Sequence, residues 1–233
     1  MSSPLLSYEE LKQKFNFTPN PIKINQMRES AVLVLFYQPQ PNEIFLVLTQ
    51  RNLKLNKHGG EISFPGGKFE AERDGDKITT ALRESEEEIG INRKDLTIIG
   101  VMDDIATLTG FIITPVIAYA NKKLTFVKSE DEVQEILVIP INFFLETDNF
   151  TEIAMKTEDE PIPVYTYKYK IAGKNYSIWG ATAHILMELM KILYNYNPSK
   201  LNLKRLSPEK IEKLLDKRRE ELAQKVKENH KNS

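Results

Sequence analysis

Apolar and polar positions repeat along this chain with two periods, and these periods predict both strands and helices. Ala31–Tyr37 and Ile44–Leu48 are apolar runs separated by Pro- and Asn-containing turn residues, which predicts two buried strands of a hairpin. An alternation from Val164 to Trp179, interrupted by the turn Ala172–Asn175, predicts a later hairpin. Further strands are predicted at Leu96–Val101, Ile112–Tyr119 and Glu135–Ile139.

Other segments place apolar residues at every third or fourth position, which predicts helices. The first helix is preceded by Ser7 and Glu10 at capping-box spacing. Gly90 follows the central helix at a position where helices commonly end in left-handed backbone. Ser207 is the predicted N-cap of the last helix. The predicted helices are one near Tyr8–Phe15, then Ile78–Ile89, Ala181–Tyr194 and a segment from Pro208 onward.

The central helix carries a cluster of carboxylates. Glu84, Glu87 and Glu88 are spaced i, i+3 and i+4, so they lie on one helical face. Like charges in this arrangement repel one another unless a positive charge lies among them. A hard divalent cation, Mg²⁺ or Mn²⁺, is bound through such oxygen ligands. A solvated acidic face is the alternative explanation of the same spacing.

A glycine-rich segment precedes this helix. Gly59, Gly60, Gly66 and Gly67 allow the backbone to approach a phosphate group closely. Positively charged residues surround these glycines and are candidate phosphate contacts. By itself the pattern is equally typical of an ordinary surface loop. The candidate phosphate-binding residues are Arg51, Lys57, His58 and Lys68.

Composition excludes several classes of function. The 32 basic and 33 acidic residues give a net charge of −1, so no global field favours nucleic acid or an anionic membrane as a partner. The chain has no cysteine, which leaves carboxylates and three histidines as candidate metal ligands. No apolar run reaches the roughly 20 residues of a membrane span, and the N-terminus lacks a secretory pattern. A soluble, cytoplasmic protein is therefore expected.

The central stretch resembles the Nudix box, whose pattern is Gx5Ex7REUxEExGU with U an aliphatic residue. Six residues match its second half, whereas Ser85 takes one aliphatic position. In the first half the loop between Gly67 and Arg83 is longer than the pattern, and Gly75 occupies the place of the first glutamate. Either Asp74 or Asp76 is expected to replace that acid. The matching residues are Arg83, Glu84, Glu87, Glu88, Gly90 and Ile91.

The segment before the box is similar to the signature of the coenzyme A pyrophosphatase branch of this superfamily. Thr49, Arg51, Gly60 and the Phe64–Gly67 run match that signature. It differs at three positions, including one where an arginine of the pattern is replaced. The differing residues are Asn52, Asn56 and Ile62, of which Asn56 replaces the arginine.

The resemblance implies an α/β fold, the Nudix α/β/α sandwich with a mixed β-sheet between helices, plus terminal helices. The Nudix domain is expected over residues 25–197. A helical extension is expected over 1–24, and a charged helix over 198–233. The narrow apolar stripe of that last helix suits either packing on the domain or pairing with a second copy as a homodimer.

The resemblance also assigns roles to individual residues. Metal ligands are expected from the box glutamates and a glycine carbonyl, and Arg83 is expected to orient a glutamate. The general base is expected either in the box or on a loop, where Glu132 and Glu135 are the candidates; a solvated charged loop is the alternative. The expected metal ligands are Glu84, Glu87, Glu88 and Gly66, and Glu87 is also a catalytic candidate.

Two functions follow from the resemblance, and a third is an alternative of a different class. The first is hydrolysis of coenzyme A or acyl-coenzyme A to adenosine 3′,5′-bisphosphate and 4′-phosphopantetheine or its acyl form, with Mg²⁺ or Mn²⁺. The second is hydrolysis of another nucleoside diphosphate derivative, such as ADP-ribose, a dinucleotide or a damaged nucleoside triphosphate. The third is a non-catalytic module that binds a nucleotide or a protein partner. Intact box glutamates favour the two hydrolases.

Overall fold

The computed structural model describes residues 6–55, 58–157 and 160–231, with side chains up to residue 225. The helices are α1 (Tyr8–Lys14), α2 (Ala71–Asp74), α3 (Lys77–Ile89), α4 (Gly180–Tyr194) and α5 (Pro208–Lys231). The first strands are β1 (Arg28–Tyr37), β2 (Phe45–Arg51), β3 (Ile62–Ser63), β4 (Gly66–Lys68), β5 (Thr97–Val101) and β6 (Ile105–Ala106). They are followed by β7 (Phe111–Ala120), β8 (Val133–Pro140), β9 (Phe150–Met155), β10 (Ile162–Ile171) and β11 (Lys174–Trp179).

The larger sheet is mixed and splits between its two central strands. β1 runs parallel to β7 along its length but pairs with β2 only at Phe36↔Leu46 and Tyr37↔Phe45. Beyond that point β4 pairs with β1, β3 pairs with β2, and β8 covers the other edge of β2. The backbone between β3 and β4 therefore lies in the split, facing the helix that carries the glutamates.

The sheet is buried on both faces, because alternate residues of β1 point to opposite sides. Leu33 and Leu35 join a core with Ala81 and Ile89 of α3. Val34 and Phe36 belong to a second core, which includes most of the buried face of α4. The predicted sandwich of a mixed sheet between helices is confirmed.

A smaller antiparallel sheet, in the order β11–β10–β9, packs on the α4 side. Its β10–β11 hairpin confirms the prediction made from period-two alternation. Tyr167 is fully buried and meets Phe144 edge-on, with ring centroids 5.3 Å apart. β9 was not among the predicted strands, because its side chains are mostly exposed and carry no clear apolar period.

The terminal helices are also confirmed as helices. Ser7 and Glu10 form the predicted capping box, and Phe15 packs on Phe36. At α5, Ser207 accepts a hydrogen bond from the backbone N–H of Lys210, as expected of an N-cap. Within the described part of the chain, no helix is both long enough and apolar enough to cross a membrane.

Candidate active site

The turn from Phe64 to Gly67 places backbone directly against α3. The Pro65 carbonyl accepts a hydrogen bond from the Leu33 backbone N–H at 2.8 Å, which anchors the turn in the sheet. A Cβ on Gly66 would lie 2.3 Å from the Ala31 carbonyl oxygen, and one on Gly67 would lie 2.3 Å from Cδ of Glu84. A side chain at Gly66 would therefore clash with β1, and one at Gly67 would displace the Glu84 carboxylate.

Glu88 is the most enclosed of the three glutamates, with 3% of its surface exposed. Its Oε2 accepts a hydrogen bond from the Gly66 backbone N–H at 3.2 Å, and Arg51 Nη1 lies 3.8 Å from Oε1. Burial raises the pKa of the Glu88 carboxyl to about 8, although both contacts oppose that rise. The protein thus holds an oxygen ligand in a place where a nearby cation would stabilise its charged form.

Glu84 and Glu87 share the guanidinium of Arg83. Arg83 Nη1 lies 2.9 Å from Glu84 Oε1 and 3.0 Å from Glu87 Oε2. Burial raises the pKa of Glu84, and Arg83 opposes the rise. Glu87 is nearly half exposed, and its second oxygen lies 3.1 Å from Arg73 Nη2. The three carboxylates therefore share one face of α3, and arginines lie among them.

Arg83 is in turn held by Asp74 at the end of α2. Its Nε and Nη2 donate to the two oxygens of Asp74 at 2.6 and 3.0 Å. Asp74 also accepts hydrogen bonds from Thr80 Oγ1 and the Glu70 backbone N–H, both at 2.9 Å. The Arg83 guanidinium holds the pKa of Asp74 far below its usual range. The acid opposite Arg83 is thus Asp74, whereas Asp76 caps α3 by accepting from the Thr79 N–H at 2.7 Å.

The donor chemistry of this face suits a hard divalent cation. Among the described residues, no three acidic or histidine side chains already stand together as a metal cage. Their carboxylates contact other groups instead. Those of Glu84 and Glu87 form ion pairs with Arg83, and that of Glu88 accepts a hydrogen bond from the Gly66 N–H. Glu88 is the main support for this metal assignment. Desolvation raises the pKa of its buried carboxyl group, and a bound cation would lower that pKa again.

The two general-base candidates lie in different surroundings. The backbone carbonyl of exposed Glu132 accepts a hydrogen bond from the Asn52 N–H at 2.8 Å. The charge of Glu132 raises the pKa of both Glu84 and Glu88, so its carboxylate lies on their side of the molecule. Glu135 instead accepts hydrogen bonds from Tyr176 Oη at 2.7 Å and Lys174 Nζ at 3.0 Å.

The predicted phosphate contacts are placed differently from one another. Arg51 lies beside Glu88, and its buried Nε has no hydrogen-bond partner among the described residues. His58 Nδ1 lies 3.0 Å from Glu61 Oε2. Lys68 is exposed at the end of β4, and its carbonyl accepts a hydrogen bond from Arg83 at 3.3 Å. Lys57 lies outside the described residues.

Two features of this site are not apparent from local sequence patterns. Nothing in the sequence around Asp74 indicates that the four-residue helix α2 will turn it onto Arg83. The contact between Arg73 and Glu87 also depends on the tertiary fold, since the two residues are fourteen positions apart in the sequence. The sequence does contain one indication of α2, because the loop between Gly67 and Arg83 is longer than the Nudix pattern and leaves room for an additional helix.

The chain is similar in sequence to Nudix proteins. The NUDIX domain model matches residues 27–160, a range that contains every predicted site residue. The chain is 33% identical over 166 residues to the uncharacterized Nudix hydrolase NudL of Salmonella paratyphi B. That match covers 71% of this chain and 82% of the relative. NudL of Salmonella newport matches equally well.

Solved structures of similar proteins include a Nudix hydrolase from M. Smegmatis, RenU. It is 21% identical, with a TM-score of 0.42, and the match covers 50% of this chain and 72% of RenU. A MutT/nudix family protein from Enterococcus faecalis is 13% identical, with a TM-score of 0.44. That match covers 84% of this chain and 78% of the other.

Proposed function

Because the chain belongs to the Nudix family and is a Nudix pyrophosphatase, we propose that it hydrolyses the diphosphate linkage of coenzyme A or an acyl-coenzyme A. The observation that carries this proposal is the position of the segment before the box. Arg51 lies 3.8 Å from Glu88, and the turn ending at Gly67 packs on Glu84. The residues that resemble the coenzyme A pyrophosphatase signature therefore border the carboxylate face.

The glutamates of α3 and a glycine carbonyl would hold the cation. Bound Mg²⁺ or Mn²⁺ supplies neutralisation of phosphate oxygens and a lower pKa for coordinated water. Arg83 acts as a positioning residue, since Asp74 fixes its guanidinium and it contacts Glu84 and Glu87 directly. The ligand set of this proposal is Glu84, Glu87, Glu88 and the carbonyl of Gly66.

Substrate phosphates would be bound by basic residues of the segment from Arg51 to Lys68. Arg51 is the foremost of these, because its unpaired Nε and its guanidinium beside Glu88 leave donors for an oxyanion. Lys68, at the end of β4, projects from the strand that contacts the carboxylate face. His58 and Lys57 complete the proposed phosphate-binding group.

Glu132 is the better candidate for the general base. Its charge acts on Glu84 and Glu88, whereas the carboxylate of Glu135 is engaged by Tyr176 and Lys174. In the proposed step, water attacks a phosphorus atom of the diphosphate and gives one proton to Glu132. The bridging P–O bond breaks, and its electron pair stays on the leaving phosphate. The products are two phosphomonoesters.

Product analysis tests the proposal directly. Coenzyme A incubated with the full chain and Mg²⁺ is expected to yield adenosine 3′,5′-bisphosphate and 4′-phosphopantetheine, separable by chromatography. A parallel panel should contain ADP-ribose, a dinucleotide and an oxidised nucleoside triphosphate. Faster turnover of any of these than of coenzyme A would refute the coenzyme A assignment.

A second candidate substrate is another nucleoside diphosphate derivative, such as ADP-ribose. One observation favours it: Asn56 stands where the branch signature has an arginine, which removes a cation near the expected phosphate groups. A substrate without a 3′-phosphate would lose less binding affinity when this arginine is absent. The same panel separates the two candidates, and unchanged hydrolysis by the Glu84→Gln variant would contradict the metal ligands proposed for both.

A further inference from the structure

A cavity lies on the opposite face of the main sheet from the glutamates. Its volume is about 410 Å³, and this open cavity is lined by residues of α4, β10, β6 and the segment that leads into α5. α3 packs on the other face of the sheet, with Leu33 and Leu35 of β1 between. A volume of this size suits a small organic ligand. The lining includes Tyr165, His184, Glu188, Lys191, Arg205 and Ile211.

Arg205 is the central feature of this cavity. Its Nη2 donates to the Ala106 carbonyl at 2.9 Å, and its other N–H groups have no partner among the described residues. Within the residues that the structure describes, no carboxylate oxygen lies within 4.0 Å of the Arg205 guanidinium. Burial lowers the pKa of Arg205, and the charge of Glu188, followed by that of Tyr165, opposes this change. A partly buried guanidinium that has no ion pair within the described residues favours the binding of an anion.

The acidic residues of the cavity are engaged elsewhere. Glu188 Oε1 accepts a hydrogen bond from Lys191 Nζ at 2.8 Å. Asp104 also lines the cavity, and its two oxygens accept from the Ile22 backbone N–H at 2.9 Å and from Thr114 Oγ1. Neither carboxylate forms an ion pair with Arg205 among the described residues, although the charge of Glu188 partly compensates it, and the remaining donors of Arg205 stay available to a ligand.

Two aromatic rings and several aliphatic side chains form part of the cavity wall. The rings of Tyr165 and His184 are stacked with an interplanar angle of 9° and centroids 6.0 Å apart. Burial, reinforced by Arg205 and Lys191, lowers the pKa of His184 to about 2, so its ring is neutral at ordinary pH. Ile105, Leu206 and Ile211 add aliphatic surface. A planar ligand body would find contacts here on several sides.

We propose that this cavity is a second ligand site, in which Arg205 binds the oxyanion of a small phosphomonoester or carboxylate whose planar apolar body packs on Tyr165 and His184. The site is separate from the carboxylate face of α3. It does not depend on which diphosphate the protein hydrolyses. Both ligand classes carry one oxyanion on a planar body, and the titrations below distinguish a phosphate from a carboxylate.

Isothermal titration calorimetry of the full chain provides the test, with phenyl phosphate, benzoate, inorganic phosphate and neutral benzyl alcohol as probes. Phenyl phosphate or benzoate is expected to bind saturably and more tightly than inorganic phosphate or benzyl alcohol. Arg205→Gln is expected to weaken that binding by about tenfold or more, as loss of charged hydrogen bonds implies. The preferred anion identifies the ligand class.

Arg219→Gln is the matched control, because Arg219 is a half-exposed arginine of α5 that contacts Gln26 and Asp216 outside the cavity. This variant is expected to bind like the wild type. Equal weakening in both variants, or no saturable binding of either aromatic anion, would overturn the proposal.

A measurement on the unchanged chain keeps the test valid if Arg205→Gln does not fold. In an NMR titration with the preferred probe, the Arg205 side-chain N–H and the Ala106 backbone amide are expected to shift together and to saturate. Shifts confined to Gly66 and Gly67 would place the probe on the α3 face and contradict a second site.

Discussion

Among the single residues of the site, Glu132 and Glu135 form a natural pair for comparison, since both are glutamates at the start of β8. We expect Glu132→Gln to lower kcat by about 10²-fold or more, because general-base catalysis contributes on that order. Glu135→Gln is the matched control and is expected to change kcat only slightly, since its carboxylate is bound by Tyr176 and Lys174. Steady-state kinetics with saturating Mg²⁺ measures both. A larger loss in Glu135→Gln would reverse the assignment.

Asp74 is a residue whose importance is expected mainly in stability. Asp74→Asn would leave the largely buried Arg83 without its principal charge partner, and we expect a loss of about 3 kcal/mol in the free energy of unfolding. Asp76→Asn, two residues away, keeps an equally good N-cap and is expected to cost less than about 0.5 kcal/mol.

Urea unfolding followed by circular dichroism measures both losses. Kinetics adds a readout specific to positioning, because displacement of Arg83 should lower kcat more than it changes KM. A folded Asp74→Asn protein with wild-type stability and wild-type kcat would show that Arg83 needs no partner from α2.

At the scale of elements, the contact between β4 and α3 depends on the absence of a side chain at Gly67. In Gly67→Ala the new Cβ would displace the Glu84 carboxylate, which it would otherwise approach within 2.3 Å of Cδ. A misplacement of about 1 Å can cost about 100-fold in rate, so we expect a loss of that order in kcat/KM.

Gly173→Ala is a suitable control for that substitution. Gly173 lies in the β10–β11 turn at φ 80°, where an added Cβ meets nothing within 4 Å. We expect a cost of about 1 kcal/mol in stability from the left-handed backbone, without loss of kcat/KM. If both variants lost activity equally, the effect would be one of general stability rather than of Glu84 placement.

Elements of five or more residues with a clear apolar period were predictable, whereas elements formed by tertiary pairing were not. α3 and the two hairpins follow from spacing alone, as does the shared face of Glu84, Glu87 and Glu88. β4 has three residues and exists because it pairs with β1 in the split of the sheet. α2 has four, and its role appears only where Asp74 meets Arg83. Neither the pairing of β4 with β1 nor the contact between Asp74 and Arg83 can be predicted from local periodicity.

At the scale of the whole molecule, the sheet separates two chemically different faces. One face carries the glutamates of α3, and the other carries the cavity around Arg205 and the neutral ring of His184. Changes on the α4 face are therefore expected to affect stability or ligand binding without direct effects on the groups around Glu88. The pH dependence of stability offers a way to observe this second face by itself.

His184 is expected to make the folded state sensitive to acid. Its pKa is lowered to about 2 by burial and by the charges of Arg205 and Lys191. Glu188 Oε1 lies 3.9 Å from His184 Nε2. Below about pH 6.5 the unfolded chain takes up a proton that the folded chain does not, so stability falls as the pH falls. Between pH 7 and pH 5 this single group should account for about 2 kcal/mol of lost unfolding free energy.

Replacing His184 removes that proton uptake, and urea unfolding at a series of pH values measures the change. Relative to wild type, the His184→Gln protein is expected to show a shallower decline of unfolding free energy from pH 7 to pH 5. His58→Gln is the matched control, because His58 is exposed beside Glu61 and its replacement leaves the buried ring in place. Parallel curves for wild type and His184→Gln would mean that His184 becomes protonated in the folded protein, in which case the cavity face would gain a positive charge in acid and bind anions more tightly there.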